Sequence, residues 1–572
     1  MRGHASLHQP LSCQAGFEAT TLSKRIPILQ WLPKYKFEYL IQDIIAGITV
    51  GLTAIPQGIA YAIIAGLSPE YGLYASLTSG FVYIVFGSCN NIVIGPTAIL
   101  AAMVGKYVAN YSPDFAILAA FLSGCIELLM GILHLGFFVE FISQPVISGF
   151  TTAAALQIAA AQLKSTFGLD GSSGSYFAES VYYFVKNIRT ARLWEPVLTF
   201  TTIAMLLLLQ KMGQGCKRTD GVFKQCRWFI SLSRNAIVVV IGMIIAYILK
   251  ITTDSEPLAI IGEIGSGMPQ IQPPPFTTTV GNETYSFVDM LQVLGVQSVI
   301  LPFVAILESI AIAKAFAGGA PVDATQELIA LGLCNIIGSF AASMPITGSF
   351  TRTALNHASG VQTQAGGIIK CLLLILALST MTSTFYFIPK ASLAGLIMVA
   401  MFAMIDYGIF GRLWRSSKIE LILLLITTVV CLLFGLEYGI VTGIIIEAVI
   451  LLYTTSRPTL NVSTMKNDSE DFILISISGN VSYSAAEHVR RTIMRASRHV
   501  PPETTIVIEA THLQRIDSTV ASNLISESVF TKMTFHNVEK PVSLRRRMKR
   551  YTKKCCSVKT VEKRLPIVRW LP

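Results

Sequence analysis

Charge is scarce in this sequence: Asp, Glu, Lys and Arg together make up 13% of its 572 residues. Soluble domains carry about 25% charged residues, so a shortfall of this size points to lipid as the main solvent. The ten cysteines form no disulfide framework and no zinc spacing, and Cys89, Cys125, Cys334, Cys371 and Cys431 sit inside apolar runs. Basic residues occupy loops between apolar segments rather than one face, so the net charge of +11 is no footprint for nucleic acid. No nucleophile–base pairing, metal-ligand spacing or phosphate-binding loop is present, which argues against an enzyme and leaves no cofactor to expect. Residues 1–38 lack the short apolar stretch and small-residue cleavage site of a signal peptide and read as a cytoplasmic N-terminal segment.

Apolar residues fill the space that charge leaves. They make up 52% of the chain, and the mean hydropathy is +0.59. From 39 to 457 apolar stretches alternate with short polar breaks, and about 20 apolar residues suffice to cross a bilayer. The stretches 44–66, 71–87, 115–137, 193–210, 235–251, 289–312, 388–405, 419–435 and 437–453 read as spans. Those at 141–162, 323–343 and 364–381 are broken by small or polar residues. Two more, at 95–108 and 348–358, are too short or too polar to cross alone. The total is roughly fourteen membrane elements. Lys24, Arg25, Lys34 and Lys36 before the first span predict a cytoplasmic N-terminus. By the same count the basic loops at 211–234 and 412–418 are cytoplasmic. The sequons beginning at Asn110 and Asn282 fall outside and are candidate glycosylation sites.

After Pro458 the pattern changes. Residues 472–477 and 505–510 read as strands, and 485–497 and 519–530 as helices, so 458–532 is expected to form a small cytoplasmic α/β domain. Residues 533–572 form an atypical basic tail with the run Arg545-Arg546-Arg547-Met548-Lys549-Arg550. The decapeptide at 24–33 (KRIPILQWLP) returns at 563–572 as KRLPIVRWLP, the pattern expected of a chain joined across two tandem genes, with a functional echo of the entry segment as the alternative.

Two interruptions fall at corresponding positions of the two halves. Gly95-Pro96 breaks the first, and Pro345 with Gly348 breaks the second just before Ser349-Phe350-Thr351-Arg352. Proline has no N–H and clashes with the preceding turn, so a helix has to restart there. Paired interruptions of this kind mark the midplane site of a carrier. Each restarted helix presents unpaired N–H groups and the equivalent of about +0.5 charge, which suits an anion. Arg352 adds a permanent cation, for which Glu308, in an otherwise apolar span, or the anion itself is the expected counter-charge. Gln57 and Tyr61, four apart on one helical face, are candidate hydrogen-bonding residues. His134 and His357 have no partners visible in the sequence and read as packing residues.

The motifs GLTAIPQGIAYA (51–62), GLSPEYGLY (66–74), GPTA (95–98), FISQPVISGF (141–150) and PITGSFTRTA (345–354) resemble the sulfate permease (SulP) family of anion transporters. The likeness runs from about residue 24 to 530. It implies a polytopic helical protein of two inverted seven-element repeats, with core and gate domains, a homodimer, and a cytoplasmic STAS domain, expected here to be incomplete. The family's substrate-binding positions fall on Gln57, Tyr61, Thr97, Ala98, Ser349, Thr351 and Arg352, with Glu308 at the proton-coupling position. Ile516-Asp517-Ser518-Thr519 matches a loop that bacterial relatives phosphorylate, although helix N-capping is the stronger reading of Ser518.

The resemblance implies sodium-independent carriage of small inorganic anions: sulfate first, then chloride and bicarbonate, with oxalate as a further candidate. Arg352 and two helix ends total about +2, matching sulfate, and an ionised Glu308 lowers the sum to about +1, matching a monovalent anion. The expected function is proton-linked sulfate transport or anion exchange, by an elevator-type movement between the two sides of the membrane. The alternatives are an anion channel and a non-transporting membrane motor or scaffold. A nucleobase carrier would have no use for Arg352. The plasma membrane is the expected location, and a lysosomal or other internal membrane is the alternative.

Overall fold

A computed structural model describes residues 25–536, apart from 138–142, 172–173, 175, 214–221, 254–257, 263–266, 317–321, 381, 459, 467–470, 478, 499–504, 510–512, 521–522 and 524–532. The basic run and the second decapeptide lie outside the described residues. The chain divides into two compact units at Ile444/Ile445.

The first unit is helical. Its main elements are α1 (Phe37–Ile64), α2 (Pro69–Phe86), β1 (Ile94–Gly95), α3 (Ala98–Asn110), α4 (Asp114–Ile132), α5 (Gln144–Ala161), α6 (Trp194–Gly213) and α7 (Arg234–Thr253). They continue with α8 (Gln297–Phe316), α9 (Ala324–Ser339), β2 (Thr347–Gly348), α10 (Phe350–Ala358), α11 (Gly366–Thr380), α12 (Lys390–Met404) and α13 (Lys418–Phe434). α14 (Leu436–Ser456) runs across the division. Among the described residues, eight helices are long and apolar enough to cross a membrane; α3 and α11 are shorter apolar helices. Pro69 and Pro145 sit in the first turns of α2 and α5, where a missing N–H removes no helical bond.

Glycine lets the helices of the first unit approach closely. A Cβ on Gly332 of α9 would lie 2.5 Å from the backbone nitrogen of Leu128 on α4, so those two backbones touch there. A Cβ on Gly72 of α2 would likewise meet the Gly58 carbonyl of α1. Small residues at such crossings give van der Waals contact where lipid offers no hydrophobic drive.

Several boundaries differ from the sequence reading. The stretch expected to span at 289–312 is two helices: Phe287–Leu294, capped reciprocally by Ser286 and Asp289, stops at Gly295, whose φ of +51° ends the helix before α8 begins. Amphipathic helices at Phe177–Asn187, Val222–Leu232 and Tyr407–Ser416 were not expected, because their charges interrupt the apolar runs. His134 and His357 are exposed and hydrogen-bonded: His134 meets Arg25 at 2.8 Å, and His357 meets the Asn91 side chain at 3.3 Å while its ring packs 5.7 Å from that of Phe316.

In the second unit, β3 (Leu460–Lys466), β4 (Asp471–Ile477), β5 (Thr505–Glu509) and β6 (Met533–His536) form a mixed sheet in the order β6-β5-β4-β3. The β3–β4 pair is antiparallel; β4–β5 and β5–β6 are parallel. Ile473, Ile475, Ile506 and Ile508 of the central strands pack with Val489 and Ile493 of the helix Ala486–Arg498. The sheet continues past residue 532 into the segment read from sequence as tail, because β6 supplies the parallel neighbour that β5 would otherwise lack. The helix expected at 519–530 lies mostly outside the described residues. Asp517, not Ser518, caps the turn there: its Oδ1 accepts the Val520 N–H at 2.9 Å, and Ser518 is exposed.

Candidate functional site

The two interruptions meet. β1 and β2 pair antiparallel, Ile94 with Gly348 and Gly95 with Thr347, forming a ribbon only two residues long. The Ser349 N–H donates to the Val93 carbonyl and the Val93 N–H to the Thr353 hydroxyl, each at 3.1 Å, extending the tie by one residue. α3 starts at one end of this ribbon and α10 at the other. Pro96 stands ahead of the first turn of α3 rather than within it: Thr97 is the N-cap and Ala98 the first helical residue. Neither Thr97 nor Ser349 caps its own helix with its side chain, so the first-turn N–H groups remain available to a ligand.

A cavity of about 10 Å³ lies where these ends converge, lined by Tyr61, Thr97, Ala98, Ile99, Glu308, Ser349, Phe350, Thr351, Met401 and Met404. A void of this size is close to the smallest that holds one water. Thr97 donates its hydroxyl hydrogen to Glu308 Oε2 at 3.4 Å, and Gln57 Nε2 donates to the Thr351 hydroxyl at the same distance. The Ser349 and Thr351 hydroxyls are 3.3 Å apart. A second cavity, of about 1050 Å³, adjoins the first: Phe350, Thr351 and Met404 line both, and Gln57, Arg234, Lys314 and Asp406 line the larger one.

Of the two counter-charges expected for Arg352, Glu308 makes no ion pair with it in this structure. Arg352 is 1% exposed and donates from Nη2 to the Pro96 carbonyl at 2.8 Å, while Nη1 is buried with no partner. Instead of pairing with Glu308, it braces the ribbon from beside the cavity. Gly95 makes room for it: a Cβ there would lie 3.1 Å from Nη2. Of the eight residues expected at the site, the structure places Tyr61, Thr97, Ala98, Ser349, Thr351 and Glu308 around the small cavity. Gln57 joins them through Thr351 and Arg352 through Pro96.

Sequence reasoning missed Lys370 of α11. It is 4% exposed, and its ammonium donates to the Ile94 carbonyl of the ribbon at 3.4 Å. Its signal was present, as the one charged residue of an otherwise apolar helix. Among the sequon candidates, Asn282 is exposed between the two strands of the hairpin Thr278–Val280 and Glu283–Tyr285. Asn110 is exposed at the end of α3, where the hydroxyl of its partner Ser112 is 3.2 Å from that of Thr278.

The family model described as "Sulfate permease family" matches residues 40–427. Over 528 residues the chain is 38% identical to the sodium-independent sulfate anion transporter of Bos taurus, covering 90% of this chain and 85% of that one. It is 33% identical over 446 residues to the probable sulfate transporter 4.2 of Arabidopsis thaliana, covering 76% of this chain and 62% of the plant protein. Among solved structures, SLC26A9 superposes with a TM-score of 0.81 at 20% identity, covering 95% and 94% of the two chains. The transmembrane domain of the cyanobacterial bicarbonate transporter BicA gives a TM-score of 0.56 at 20% identity, covering 73% of this chain and 98% of that one. At these identities the structural matches show the fold alone.

Proposed function

This chain belongs to the sulfate permease family of membrane anion transporters, and on that premise we propose that it carries sulfate, bound between the first turns of α3 and α10. The observation that carries this reading is the ribbon, which sets two uncapped helix N-termini around one small cavity and holds the buried Arg352 beside it. Two helix ends of about +0.5 each and one guanidinium complement a doubly charged oxyanion. The hydroxyls of Tyr61, Thr97, Ser349 and Thr351 and the amide of Gln57 supply uncharged hydrogen-bond donors. Antiparallel pairing of the two interruptions supports an arrangement of fourteen elements in two inverted repeats.

The larger cavity is the route by which the anion reaches or leaves the site. Its lining includes Arg234, Lys314 and Asp406, and Arg234 and Asp406 border the basic loops expected on the cytoplasmic side, which supports reading the arrangement as inward-open. Transport then consists of moving the ribbon and its two helices against the rest of the helical unit, as an elevator. Glu308 sits against Thr97 at the cavity, so its proton decides whether the site offers about +2 or about +1. Protonation favours sulfate, and ionisation favours chloride or bicarbonate.

Radiolabelled sulfate uptake at external pH 6 and 7.5 tests the reading. Uptake is expected to rise at the lower pH and to fall roughly tenfold or more in Arg352→Ala. A surface-expressed protein that takes up no sulfate sinks it. Glu308→Gln is expected to transport sulfate with a flat pH profile; a profile unchanged from wild type removes Glu308 from the coupling.

A further inference from the structure

A second cation is buried against the ribbon. The Lys370 ammonium hangs on the Ile94 carbonyl, which also accepts the Ser79 hydroxyl at 3.1 Å. Two residues further along the chain, the Pro96 carbonyl takes Arg352. The strand that leads into α3 is therefore held at alternate carbonyls by two positive side chains. The packing makes room for both. A Cβ on Gly80 of α2 would lie 3.0 Å from the Lys370 Nζ, as one on Gly95 would crowd Arg352.

A buried ammonium needs either a carboxylate or a polar shell. Among the described residues Lys370 makes no ion pair; the one hydrogen bond of its ammonium is to Ile94. The polar shell is present. Lys370 borders a cavity of about 40 Å³ whose lining includes Asn90, Asn356, Thr363 and Gln364, which is room for a water molecule. The Gln364 Oε1 is buried there without a partner, an acceptor for such a water. This cavity is separate from the one that Tyr61, Thr97 and Glu308 line, and Lys370 lines only the former.

Resting on the transport reading above, we propose that Lys370 is a specificity-determining residue, a fixed cation beside the ribbon whose field favours divalent over monovalent anions. Its charge acts on whatever occupies the first turns of α3 and α10. A divalent anion feels it twice as strongly as a monovalent one. A unit charge roughly 10 Å away, at an effective dielectric constant of about 20, changes the ratio of the two affinities by on the order of tenfold. Arg352 biases the site in the same sense, and the charge of Lys370 adds to it from the other side chain held on the ribbon.

The test measures uptake of radiolabelled sulfate and of radiolabelled chloride by the full chain in proteoliposomes, for wild type, Lys370→Met, Lys370→Arg and Gln364→Glu. Lys370→Met is expected to lower the sulfate-to-chloride uptake ratio by on the order of tenfold, with chloride uptake retained. Lys370→Arg keeps the ratio near that of wild type. Gln364→Glu leaves the lysine in place and puts a carboxylate on the same small cavity, so it lowers the ratio as the methionine variant does. This guards against a methionine variant that fails to assemble. A ratio unchanged in both Lys370→Met and Gln364→Glu overturns the proposal while leaving anion transport standing. A wild-type protein that moves neither anion overturns the transport reading and this inference together.

Discussion

At the scale of single residues, the candidate site is a small set of polar groups arranged by their neighbours. Thr351 is the hub, because its hydroxyl takes the Gln57 amide and lies beside Ser349. Thr351→Val keeps the shape and removes the hydroxyl. A hydrogen bond contributes about 0.5–1.5 kcal/mol net, so the half-saturating sulfate concentration is expected to rise about threefold to tenfold. Uptake measured across sulfate concentrations reads this directly, and an unchanged curve would place Thr351 outside the binding shell. Arg352 was legible in the sequence because proline and glycine announce a helix restart just ahead of it. Its actual partner, the Pro96 carbonyl, was not legible, since two residues 256 apart in the chain meet only once the ribbon exists. Lys370 escaped for a related reason: a single lysine in an apolar stretch says nothing about which strand its helix packs against.

At the scale of elements, short pieces do more than long ones. α3 and α10, of 13 and 9 residues, were recognisable from sequence as too short or too polar to span. The ribbon that joins them is two residues long in each strand, shorter than any hydrophobic pattern can report. Amphipathic helices such as Tyr407–Ser416 were missed because a search for unbroken apolar runs passes over them. The α4–α9 contact depends on Gly124 and Gly332. A methyl group on Gly332 would press on backbone atoms that have no rotamer by which to yield, 2.5 Å from Leu128 N and 2.9 Å from the Gly124 carbonyl oxygen. Overpacking of this kind costs about 1–3 kcal/mol. Gly332→Ala is therefore expected to lower the melting temperature of the detergent-purified protein by several degrees, although it touches no site residue. An unaltered melt would mean that the helices separate more easily than their close packing implies.

At the scale of the whole molecule, hydropathy made the membrane unit legible, and alternating patterns did the same for the α/β unit. The extent of the second unit was not legible, because β6 is a four-residue strand whose only mark in the sequence is Met533-Thr534-Phe535-His536. Sidedness is open to direct test. Asn282 is exposed in a hairpin turn, so in a eukaryotic host a glycan is expected there. Glycosidase treatment should then shift the gel mobility of the wild type but not of Asn282→Gln. A glycan-free wild type would argue against placing the 252–288 loop on the outer side.

The ribbon also sets a schedule. Its two strands lie roughly 250 residues apart in the chain, and translation proceeds at about 5–20 residues per second. The first strand, with α3 behind it, therefore waits tens of seconds for the partner that satisfies its backbone. Throughout that interval Arg352 does not yet exist to hold the Pro96 carbonyl, and the first half of the protein is obliged to keep an interrupted helix at membrane depth without its counterpart. A substitution at Gly348 or Arg352 would thus be felt first by residues made long before it, as a defect of biogenesis in the amino-terminal half. Quality control in the cell, rather than the transport assay, would be the first to register it.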